Sequence, residues 1–205
     1  MTKVRTAALS LLVGIAGLAC EEEKPSGPPP ARFQAVEAQT TAVTAATVSF
    51  CEKIYKPGER HWASPPERPV PGTSAARDRA VGWTWVNLWA SWCGPCVKEF
   101  PLLKRWGETL RRDGVALEFE LWSVDDEEAA LVKAIKERSP TFPGPVRWLK
   151  SFDELPALLA AIGVEKDSAI PIHLLVDSKG DLRCVRVGSV AEDSYGTVKS
   201  ILQGT

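Results

Sequence analysis

Along the chain, apolar residues change rhythm several times. Trp83 to Trp89 (WTWVNLW) is a short, nearly continuous apolar run rich in strand-forming residues, which predicts a buried strand. Val97, Phe100, Leu103, Trp106 and Leu110 follow at steps of three and four, predicting a helix over Cys96–Arg112. Pro101 lies inside that helix and is expected to kink it, and Gly114 follows its basic end, Arg111-Arg112. Leu117, Phe119 and Leu121 alternate within a second strand, Val115–Val124. Asp125 with Glu128 has the spacing of a capping box opening a helix that runs to Arg138, before Pro140. Residues 140–151 read as a loop. Phe152–Ile162 reads as a short helix with Gly163 as its C-cap. Ile172–Val176 and Leu182–Val187 are two strands joined by the turn Asp177-Ser178-Lys179-Gly180, and Val190–Leu202 closes the chain as a helix. The order β-α-β-α-α-β-β-α predicts an α/β fold with a central mixed sheet flanked by helices.

Upstream the pattern is different in kind. Lys3 and Arg5 precede a 13-residue apolar stretch, Ala7–Ala19, which describes a signal peptide over residues 1–19 and is too short to span a bilayer. Gly17-Leu18-Ala19-Cys20 then resembles the lipobox of bacterial lipoproteins, in which the cysteine is lipidated; Gly17 stands where leucine is usual. Residues 20–48 begin with Glu21-Glu22-Glu23-Lys24 and Pro25-Ser26-Gly27-Pro28-Pro29-Pro30, the composition of a tether. The prolines at 57, 65, 66, 69 and 71 make an irregular entry to a single domain assigned to residues 49–205.

Composition narrows the function. At 205 residues, 44% hydrophobic and 25% charged, the chain is ordinary globular protein. A net charge of −1 argues against nucleic acid as a partner, and five cysteines are too few for a disulfide-dense scaffold. Two of them carry the chemistry. Trp92-Cys93-Gly94-Pro95-Cys96 sits where the first strand passes into the helix. Cysteines three apart at a helix start can close a disulfide. The free N–H groups there favour a thiolate on Cys93, the attacking species in disulfide exchange, with Cys96 one turn on as the resolving thiol. A zinc site needs a second such pair, and Cys20, Cys51 and Cys184 are single and scattered.

The segment from Val86 to Pro101 (VNLWASWCGPCVKEFP) resembles the active-site segment of thioredoxin-fold proteins, and in particular the TlpA/ResA-like group of bacterial, membrane-tethered thiol-disulfide oxidoreductases. The resemblance extends over residues 60–205, approximately. It implies a thioredoxin fold and exchange through Cys93 and Cys96 with no metal or organic cofactor. Glu99 matches the group's acidic residue, which exchanges a proton with Cys96. Ile170-Pro171 matches its cis-proline loop, with Trp92, Gly94, Pro95 and Ile170 touching the substrate. Asn87 stands where cytoplasmic thioredoxins have a buried Asp. The group implies an extracytoplasmic, periplasmic-side monomer anchored to a membrane through Cys20. It reduces disulfides of protein substrates, apocytochrome c cysteines among them, with electrons from a membrane thiol donor. Gly94-Pro95 is the dipeptide of strongly reducing thioredoxins. In such a compartment Cys51 and Cys184 could pair as a structural disulfide; buried free thiols and a second redox relay are the other readings. The functional alternatives are an oxidase or isomerase that makes disulfides, and a copper carrier using Cys93, Cys96 and His173. His61 receives no role, Trp92 is expected to be exposed, and Asp125-Asp126-Glu127-Glu128 reads as a solvated helix start.

Overall fold

The computed structural model describes residues 47, 49–72 and 82–204. The expected signal peptide, Cys20 and most of the expected linker lie outside them. Among the described residues no helix is long and apolar enough to cross a membrane.

Among the described residues seven strands form one sheet: β1 (Lys53–Ile54), β2 (Glu67–Arg68), β3 (Trp83–Trp89), β4 (Leu117–Ser123), β5 (Val146–Leu149), β6 (Ile172–Val176) and β7 (Leu182–Val187). Their order is β1-β7-β6-β3-β4-β5-β2. β3, β4 and β5 are parallel, while β6 runs antiparallel to β3 and β7 antiparallel to β6. The central position of β3 explains its composition: with strands on both sides and both faces covered, six of its seven residues are buried. β4 is nearer the edge and alternates at its start, with Leu117 and Phe119 buried and Glu118 exposed. Helices α1 (Gly94–Arg112), α2 (Glu128–Arg138), α3 (Leu155–Ala161) and α4 (Tyr195–Gln203) flank the sheet. Trp85, Trp89, Trp122, Phe100 and Phe119 are fully buried, with Trp85 stacked on Phe119 at 5.2 Å and Trp89 edge-on to Phe100 at 5.1 Å.

Several expectations need correction. α1 begins two residues earlier than the periodicity implied, because Cys93 caps it and Pro95 sits in its first turn, where a missing N–H costs nothing. It continues through Pro101 to Arg112. Residues 140–151 are not all loop: Val146–Leu149 is strand β5, too short and too closely bounded by Pro145 to show a period. Phe152–Glu154 is a 3-10 turn ahead of α3, and Glu192–Ser194 is another ahead of α4. Two short strands precede β3, β1 just before the Pro-rich entry and β2 within it. β1 covers the free edge of β7 and β2 covers that of β5, each only two residues long. Prolines cannot donate to a ladder; Pro57 follows β1, and Pro66 and Pro69 flank β2, so both edge strands stay short. Gly163 closes α3 at φ +83°, and a Cβ there would lie 2.0 Å from the Tyr55 hydroxyl.

Candidate active site

The turn from β3 into α1 is built around the two cysteines. Cys93 is the N-cap of α1 and its Sγ accepts the Cys96 N–H at 3.3 Å. The two sulfurs are bonded to each other, with Cα atoms 5.3 Å apart. Cys96 is fully buried and Cys93 is 5% exposed, whereas Trp92 is 65% exposed and Gly94 and Pro95 face solvent. Ile170-Pro171 has a cis peptide bond, and the Ile170 carbonyl oxygen lies 3.7 Å from Cys93 Sγ. One sulfur at the rim, one beneath it and a backbone carbonyl alongside make the shape a disulfide-exchange centre needs.

The turn is anchored by a residue the sequence did not single out for that task. Asp125 is 2% exposed, not a solvated cap of α2; the α2 N-cap is Glu127, which makes no side-chain capping bond. The Asp125 carboxylate instead accepts the Ser91 N–H at 2.9 and 3.1 Å, the Ser91 hydroxyl at 2.7 Å and the Ser123 hydroxyl at 2.7 Å. These three donors, making four contacts between them, hold the carboxylate inside the fold instead of at the start of α2. The Asp125 carbonyl accepts from Trp148 Nε1 at 2.6 Å and Arg68 Nη2 at 2.8 Å. Arg68 in turn lies over the Trp148 ring at 3.7 Å. The entry strand β2 thus supports the residues that precede Cys93.

Below the cysteines lies a second polar cluster. Glu99, one helical turn beyond Cys96, is 4% exposed. Its Oε1 accepts from Asn87 Nδ2 at 3.0 Å and its Oε2 from the Val190 N–H at 3.1 Å. Asn87 and His173 face each other in the β3–β6 ladder, and both are buried. His173 bonds Trp85 Nε1 and lies beside Glu99. Among the described residues no group of three His, Cys, Asp or Glu is arranged to hold a metal ion. His61 lies in the entry segment between β1 and β2, bridged to Asp181 in the β6–β7 turn.

Cys51 and Cys184 form a second disulfide, S–S 2.03 Å, which joins the segment leading into β1 to strand β7. Both are buried.

A parallel β3-α1-β4 unit followed by the antiparallel β6–β7 hairpin, in the order β7-β6-β3-β4, is the thioredoxin fold, with a vicinal cysteine pair at the start of its first helix. No protein-family model and no curated relative matches the chain. Among solved structures the chain is similar to the thioredoxin domain of a thiol-disulfide oxidoreductase from Bacteroides vulgatus (22% identity, TM-score 0.48, 60% of this chain and 81% of that one). It is also similar to a thiol:disulfide interchange protein from a Bacteroides species (22% identity, TM-score 0.46, 60% and 74%). A third is StoA from Bacillus subtilis (20% identity, TM-score 0.43, 58% and 81%).

Proposed function

We propose that this protein is a thiol-disulfide oxidoreductase that reduces disulfides in extracytoplasmic proteins, apocytochrome c cysteines among them. The observation that carries the reading is the Cys93–Cys96 disulfide at the N-terminus of α1, with the outer sulfur at the rim and the inner one buried. In the reduced protein, the amides of the first turn and the helix dipole favour negative charge on Cys93. The Cys93 thiolate attacks one sulfur of the substrate disulfide, and the other leaves as a thiolate and takes up a proton. The Cys96 proton passes to the Glu99 carboxylate. The Cys96 thiolate then bonds to Cys93 Sγ, and the second substrate sulfur departs with its electron pair. Two electrons have moved from the protein dithiol to the substrate, and the protein is left with the Cys93–Cys96 disulfide. Trp92, Gly94 and Pro95 present an exposed surface to the partner protein, and the Ile170 backbone lies beside the attacking sulfur. A membrane thiol donor restores the dithiol. The domain acts as a monomer held at a membrane by lipid on Cys20.

Removing the resolving thiol isolates the intermediate. Cys96→Ala, incubated with a disulfide-bonded test protein, is expected to accumulate a mixed disulfide at Cys93, read by mass spectrometry after acid quenching. An adduct at Cys51 or Cys184, or no adduct, would contradict the proposal.

A further inference from the structure

The exchange reaction leaves His173 without a task. It is the second residue of β6 and 1% exposed. Trp85 Nε1 lies 3.1 Å from its Nδ1. An indole nitrogen can only donate, so Nδ1 carries the lone pair and the proton of a neutral ring sits on Nε2. Nε2 is 3.4 Å from Glu99 Oε1. That is an ion-pair distance without hydrogen-bond geometry, and Nε2 and Asn87 Oδ1 are both buried with no full partner. Glu99 is therefore ringed by three donors from three places: the Asn87 amide on β3, the Val190 N–H after β7, and the His173 ring on β6. Two of them are already engaged and one is in reserve. An underused buried donor beside a buried acid is a costly arrangement unless the acid changes state.

We propose that His173 is a positioning residue for Glu99. Its Nε2–H, 3.4 Å from Oε1, is the donor that closes onto the carboxylate when it serves as the proton acceptor of Cys96, and the contact loosens again when the acid is protonated. The inference rests on the role given to Glu99 above. In the resolving step the Cys96 S–H bond breaks, its proton goes to Glu99, and the electron pair left on sulfur forms the bond to Cys93. The bond between Cys93 and the substrate sulfur breaks, and the imidazole keeps its own proton throughout. The other groups around His173 are few. Cys96 and Glu99 come from α1, while Trp85 and Asn87 on β3 are neutral. Arg186 lies opposite His173 on β7, with its guanidinium turned to the carbonyls of Ser189 and Phe50. On α4, Tyr195 packs against Trp106, which packs against Trp85.

The test follows the resolving step alone, with the Cys51–Cys184 disulfide intact. Cys93 is loaded as a mixed disulfide with thionitrobenzoate, and release of the coloured thiolate is timed across pH. His173→Asn keeps a short polar group beside Trp85 but cannot reach Glu99. It is expected to slow release about tenfold near neutral pH, a small part of the 10²–10⁴ that positioned proton transfer supplies, and to move the half-maximal pH upward. His173→Gln, whose amide can reach Glu99, is expected to restore most of the rate. Adding His173→Asn to Glu99→Gln is expected to change nothing further. A wild-type profile for His173→Asn, or a slowing that adds in full to that of Glu99→Gln, overturns the inference while leaving the Glu99 role standing. An unchanged Glu99→Gln overturns the Glu99 role itself. If His173→Asn loses its cooperative thermal transition, His173→Gln carries the comparison: a large slowing that is additive with Glu99→Gln is again the contrary result.

Discussion

Cys93→Ser is expected to reduce insulin-disulfide reduction to the background of the assay. The reaction needs a sulfur anion that can form and then release a sulfur–sulfur bond. A serine hydroxyl at the same N-cap accepts the Cys96 N–H well enough, so the helix start survives. It does not ionise at working pH, and it leaves Cys96 buried with no route to a substrate. Little stability is at stake, because the Cys93–Cys96 bond closes a loop with a sequence separation of only 3. Loss of activity with an unchanged thermal midpoint is therefore the expected pair of results. Activity that persisted would move the chemistry to Cys51 and Cys184.

The opposite pattern is expected from removing those two. Replacing Cys51 and Cys184 together by Ala opens a loop with a sequence separation of 133. In the chain-entropy model such a loop is worth about 5 kcal/mol, against a total stability of ~5–15 kcal/mol for a domain. For a chain of this length the midpoint should fall by roughly 10–20 °C. Where the bridge sits supports a large effect. It fastens the segment around β1, with Phe50 before the strand and Tyr55 after it in the core and the Tyr55 hydroxyl donating to the Ile162 carbonyl at 2.9 Å. Without it, a two-residue strand and a few hydrogen bonds, from Arg183 and Arg186 and through Tyr55, hold that edge. Thermal unfolding followed by circular dichroism, with Cys93–Cys96 oxidised in both proteins, checks this. A fall of less than about 2 °C would mean that the denatured chain gains little freedom.

Much of this was legible from residue pattern because it is local. The β3 run, the α1 periodicity and the β6-turn-β7 hairpin each declare themselves within a dozen residues, and their order leaves few ways to build a sheet. The cysteine pair is equally local. What was misread depends on contacts between distant segments. β5 is four residues long and is a strand because β4 and β2 pair with it. Asp125 has the spacing of a helix cap, and only the arrival of Ser91 from 34 positions earlier turns it inward. The place of His173 beside Glu99 was not legible either, because its neighbours Asn87 and Glu99 come from another strand and a helix. A histidine two residues past Pro171 and an asparagine in the first strand were the available signals. Joining them required the β3–β6 register.

The equilibrium reduction potential of the Cys93–Cys96 pair, measured by thiol trapping across a graded redox buffer, separates a reductase from an oxidant most directly. The domain would span residues 45–205, with the Cys51/Cys184 double substitution as a control for the second disulfide. A reductase predicts a value near ~ −270 mV or lower; a value near ~ −120 mV would contradict it and make the protein an oxidant.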